Sequence, residues 1–135
     1  MDKKTLMRTF NNHFIEMLDD IIIVYPNVPE LRTSKTFAEH LIKYNPRKLI
    51  TLWSQVVTQN YREPIMNKDE SFFMHRDVDK EAKNIPHEFK NNYNKINSCL
   101  KLLQETICDA SDQTKKFTFK YLQNLIKLSD LYFNN

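Results

Sequence analysis

Residues 111–133 read SDQTKKFTFKYLQNLIKLSDLYF, and this stretch decides the fold. Ser111 or Asp112 offers a side-chain oxygen to the first free backbone N–H groups of a helix. Behind that cap, Phe117, Tyr121, Leu125, Leu128 and Tyr132 recur at helical spacing, and Phe119, Leu122, Ile126 and Phe133 form a second stripe. The two stripes together cover more than half the circumference. A helix apolar on two sides is buried between two layers. The spacing therefore predicts a helix to about Phe133, packed on both sides, in an all-α protein.

Upstream, Asp109-Ala110-Ser111 makes a turn. Before it, Pro86 opens a long helix to about Cys108, with Phe89, Tyr93, Ile96, Leu100, Leu103 and Ile107 in a seam about 80° wide. So narrow a seam serves one neighbour, and Asn91, Asn92, Asn94 and Asn97 flank it. The short turn predicts a C-terminal antiparallel hairpin with this helix on the outside. At the other end, Leu6, Phe10, Phe14, Met17, Leu18, Ile21, Val24 and Tyr25 fill an arc of about 120°, which predicts a helix over Lys4 to Tyr25. Pro26 and Pro29 stop it. A short helix is expected over Ser34 to Lys43, with Ser34 as N-cap, and Asn45-Pro46 reads as the cap and first position of a helix to about Gln59. Asn60 to about Ile85 is polar and without sustained period. It reads as an irregular polar connection over 60–85 holding at most a helical turn, started by Asp69 or Ser71. The expected architecture is one domain over 1–135, a helical bundle of four main helices plus one short helix.

The chain has 135 residues and no glycine. That absence excludes Walker A loops, dinucleotide-binding fingerprints, kinase Gly-rich loops, G-x-S-x-G elbows and standard EF-hands, each of which needs a position without a Cβ. Fifteen lysines stand against five arginines, with fourteen asparagines and three alanines. AT-rich codons account for this pattern without functional selection. The net charge of +3 falls short of a dedicated nucleic-acid domain. Leu31 to Arg62 is basic, Glu63 to Glu88 acidic, and the last helix basic again through Lys115, Lys116, Lys120 and Lys127.

No signal peptide is legible, because Arg8, Asn11, Asn12 and His13 interrupt the stretch after Lys3 and Lys4. The longest aliphatic run, Ile21 to Val24, is too short to span a bilayer. A soluble, intracellular protein with no membrane association is expected. Cys99 and Cys108 fall on opposite faces of the expected long helix, so they neither bond nor share a zinc ion.

The phrases TFNNHFIEMLDDIIIVYP (9–26), KYNPRKLITLWSQ (43–55), SFFMHRD (71–77) and KYLQNLIKLSDLY (120–132) together resemble a group of short, uncharacterised proteins encoded by large DNA viruses of algae and protists. The resemblance spans Thr9 to Tyr132 and carries no catalytic motif. It implies a viral gene product, in the host cytoplasm or in the virion, and no activity, cofactor or site.

The chemistry-bearing residues are sparse. His13, His40, His75 and His87 show no metal spacing. His75, Asp77 and Asp79 lie close in sequence, but a calcium loop needs more oxygens. Asp19 and Asp20 point 100° apart on a helix and read as surface acids. No Ser or Cys stands in a nucleophile's setting. Neither a cofactor, a metal nor a small-molecule substrate is expected. Two positive features remain. Lys116, Lys120 and Lys127 fall within about 40° on the last helix and could track phosphates, with Arg47 and Lys48 adding contacts. Phe72 and Phe73 interrupt the polar connection, either pinning it to the core or anchoring a partner. The expected function is a non-enzymatic interaction or assembly protein, with a protein partner or self-association. The alternative is an accessory nucleic-acid binder using the lysine face.

Overall fold

The structure is a computed structural model that describes residues 1–75, 101, 102, 104, 105 and 108–134, with 73–75 as backbone alone. All regular structure among them is helical, so the fold class is all-α. The expected helix from Pro86, its seam and Cys99, and with them the hairpin, lie outside the described residues. Residues 101, 102, 104, 105, 108 and 109 have helical backbone, and Leu102 and Cys108 pack half-buried on the core.

Helix α1 spans Lys3–Val24. The Asp2 carboxylate caps it by accepting from the Thr5 N–H at 2.7 Å. Leu6, Phe10, Met17, Leu18 and Ile21 are buried, as their spacing requires. Helix α2 spans Pro29–Tyr44, longer than expected. Pro29 opens it from the first-turn position, where a missing N–H costs nothing. Ser34 is therefore no cap: it is buried inside α2 and its hydroxyl donates to the Glu30 carbonyl at 2.9 Å. Asn45 ends α2 instead of capping the next helix, its N–H donating to the Leu41 carbonyl. Pro46 and Arg47 form the turn that follows.

Helix α3, Lys48–Trp53, runs directly into a π-turn, Ser54–Thr58, and then into α4, Gln59–Met66. The Gln59 N–H reaches back five residues to the Ser54 carbonyl. Asn60 satisfies carbonyls that the wider turn displaces, donating to Val56 at 2.8 Å and Gln55 at 3.2 Å. Pro64 lies inside α4. The expected irregular connection over 60–85 is thus helical across its first part. Over residues 60–75 the helical backbone breaks at 67–69, where Lys68 takes φ 53, and helix α5, Glu70–His75, starts at once. Asp69 opens α5 by accepting from the Ser71 hydroxyl and the Phe72 N–H.

Helix α6, Asp112–Phe133, begins at Ser111, whose hydroxyl accepts from the Thr114 N–H at 3.2 Å. It lies between α1 on one side and the π-turn with α4 on the other. Its most buried line runs through Thr118, Leu122, Leu125 and Ser129, between the two expected stripes. Phe117, Tyr121 and Leu128 sit half-buried at the edge, and Phe133 is exposed. The stripes are therefore the margins of one broad buried face, which small hydroxyl residues complete where the helices approach closely. Trp53 closes the core below α1, packed edge-on against Phe10 and Phe14 at 5.9 and 6.0 Å. No described helix is long and apolar enough to cross a membrane.

Candidate functional site

Helices α1 and α6 run antiparallel, since Lys3 lies over Tyr132 while His13 and Asp20 meet Tyr121. Past the point where their buried faces part, they leave a groove of about 520 Å³. Its α1 wall carries His13, Glu16, Asp20, Ile23 and Val24, and its α6 wall Phe117, Lys120, Tyr121 and Asn124. The floor is an aromatic contact, with the His13 and Tyr121 rings 4.7 Å apart. The Tyr121 hydroxyl donates to the Asp20 carboxylate, and His13 Nδ1 stands 3.4 Å from Glu16. His13 Nε2 is buried with no partner.

Burial, then the bond to Asp20, pushes the Tyr121 phenol well above its usual range. Tyr121 is thus a fixed donor at neutral pH, neither a base nor a nucleophile. Among the described residues, no group of three or more His, Cys, Asp or Glu is placed to hold a metal ion. The groove's lining mixes apolar side chains, Ile23, Val24 and Phe117, with charged and polar ones.

The sequence-derived candidates are placed as follows. Lys116, Lys120 and Lys127 are exposed on the outer face of α6, and no described carboxylate bridges them. Lys115, beside them, pairs with Glu70 of α5. Lys120 also borders the groove. Arg47 and Lys48 do not join this face. Arg47 Nε donates to the Tyr132 hydroxyl at 3.1 Å, at the far end of α6, about 24 Å along the axis from Lys116. Lys48 is half-buried. Phe72 is half-buried, its ring 6.0 Å from that of Tyr61. The side chains of Phe73 and His75, together with Asp77, Asp79 and His87, lie outside the described residues. Asp19 pairs with Lys35 at 2.6 Å, whereas Asp20 is committed to Tyr121.

The Asp20–Tyr121 contact was not legible in the sequence, because its members stand 101 residues apart and each lies at the margin of its own apolar arc. The partial signal was His13 at the edge of the α1 arc.

No family model matches the chain, and neither a curated protein nor a solved structure does.

Proposed function

We propose that this protein is a non-enzymatic interaction or assembly module whose partner, a protein or a second copy, covers the mouth of the α1–α6 groove. The observation that carries this reading is the exposure of Ile23, at 76%, and Val24, at 41%, on the groove's α1 wall. Large aliphatic side chains left in water beside an aromatic-floored groove mark a contact surface. Phe72 is a support of the fold in this reading and not the anchor. In the viral setting that the phrase resemblance suggests, the partner is a virion or host protein.

Light scattering across a concentration series, with affinity purification from the source cell, tests the proposal. A dimer or a defined protein partner is expected, lost in Ile23→Glu with Val24→Glu at unchanged melting temperature. A monomer with no protein partner, indistinguishable from that variant, overturns it. The second reading, an accessory nucleic-acid binder, draws on the unbridged cations Lys116, Lys120 and Lys127.

A further inference from the structure

The turn after α2 and the two chain ends meet at one pole of the bundle. Arg47 Nε lies 3.1 Å from the Tyr132 hydroxyl, and Lys3 Nζ lies 4.7 Å above the same ring. The Asn11 amide donates to the Pro46 carbonyl at 3.0 Å, which seats the first three turns of α1 beside that turn. Lys4 and Arg8 are exposed and lie within about 60° of Asn11 around the helix, about 10.5 and 4.5 Å from it along the axis on the side toward Lys3. No described carboxylate bridges Lys3, Lys4, Arg8 or Arg47. The nearby acids are spoken for: Asp2 caps α1, and Asp130 takes Arg62.

Two exposed aromatic rings border this pole: Tyr44, the last residue of α2 and three residues before Arg47, and Phe133, next to Tyr132. Tyr44 is 69% exposed, with the His40 ring at 4.5 Å and Lys43 Nζ at 5.5 Å. Phe133 is 46% exposed against Tyr132. Cations alone would suit any polyanion. An exposed flat ring at the end of α2, leading into the turn that carries Arg47, suits an unstacked base, which a duplex does not offer and an acidic peptide does not contain.

We infer that this pole binds single-stranded nucleic acid, with Lys3, Lys4, Arg8 and Arg47 on phosphates and a base stacked on Tyr44. The inference rests on the accessory nucleic-acid reading and moves the site from the lysine face of α6 to the pole at that helix's C-terminal end, beyond Lys127.

Fluorescence anisotropy with labelled oligo(dT) of about 15 nucleotides, near the upper site size of a small module, tests it across a salt series. A duplex of the same length is the comparison. Lys4→Glu with Arg8→Glu should weaken binding about tenfold or more and flatten the salt dependence. Tyr44→Ala should weaken binding about tenfold and leave the salt dependence intact. Lys116→Glu with Lys120→Glu should change little. All five residues are exposed, and an unchanged melting temperature confirms that each variant folds. Loss confined to the Lys116, Lys120 variant overturns the pole while sparing the nucleic-acid reading. Equal or tighter binding of the duplex, or an inert Tyr44→Ala, overturns the single-strand site. No binding at low salt overturns both the inference and the reading beneath it.

Discussion

Against α1, α6 is held mainly by shape: both helices feed one buried core, with Leu122 and Leu125 of α6 and Phe10, Met17 and Ile21 of α1. Along its other side, where Val57, Tyr61 and Ile65 join the same core, named polar pairs are added. The Thr58 and Ser129 hydroxyls meet at 3.0 Å in the interior, Gln123 donates to the Ile65 and Met66 carbonyls, and Arg62 grips Asp130 with two nitrogens. Apolar burial draws helices together without fixing how far one slides along the other. Directional bonds fix that position, and here they cluster beside the π-turn and Pro64, where the neighbouring helix is least regular. The aliphatic side supplies cohesion and the polar side supplies register.

Leu125→Ala sets the upper end of this contrast. The residue is fully buried, so the variant should lose about 2–5 kcal/mol in chemical denaturation. Phe117→Ala, half-buried at the groove, should lose clearly less. Equal losses would show that the two stripes of α6 carry equal weight after all.

On the polar side, Ser129→Ala should cost about 1–3 kcal/mol because it strands the buried Thr58 hydroxyl, and Thr58→Val about 0.5–1.5 kcal/mol because the Ser129 hydroxyl keeps its bond to the Ile126 carbonyl. The double variant should cost less than the sum, since the second change leaves nothing further unpaired. Strict additivity in that cycle would break the claim that the pair acts as a unit.

The α1 helix and α6 were legible because their apolar positions keep one helical phase for more than twenty residues, and the Ser111 cap stood where its chemistry placed it. The helix to about Gln59 was legible too, its Leu49, Leu52, Trp53 and Val56 buried as expected, but its continuation over 60–66 was not. A π-turn inserts one extra residue, which rotates the apolar face by about 100°. The buried set accordingly steps from Leu49, Leu52 and Val56 onto Val57, Tyr61 and Ile65. Read at constant period, that step looks like loss of pattern. Ser34 misled for a different reason: a serine hydroxyl satisfies a carbonyl inside a helix as readily as it caps one. The groove stayed hidden because its two walls come from opposite ends of the chain.

Arg62→Ala probes the weaker polar contacts. Both partners are partly exposed, so the loss should be about 0.2–1 kcal/mol and should shrink as salt rises. A loss as large as that of Ser129→Ala would mean that register is set at the surface and not in the interior.

The smallest effect at neutral pH is expected at Tyr121, the one polar contact that ties α6 to α1 in the groove. Its phenol is held above the ordinary value, so its contribution is intact below the unfolded-state value near 10 and is lost as pH rises beyond it. Melting curves should therefore fall less steeply above about pH 10 in Tyr121→Phe than in the parent chain. Identical alkaline profiles would remove Tyr121 from the contacts that distinguish the two sides of α6.

Lys68 carries a consequence for engineering the chain. Without glycine, every turn must be closed by a residue with a Cβ. Tyr25 and Asn45 end their helices at φ −123 and −154, and neither needs the left-handed region. Only Lys68, among the described residues, adopts it, at φ 53. The left-handed conformation disfavours a branched backbone by about 1–2 kcal/mol per residue. Among the described residues, 68 is thus the position where a glycine would relieve strain instead of merely adding slack, at the joint between α4 and α5.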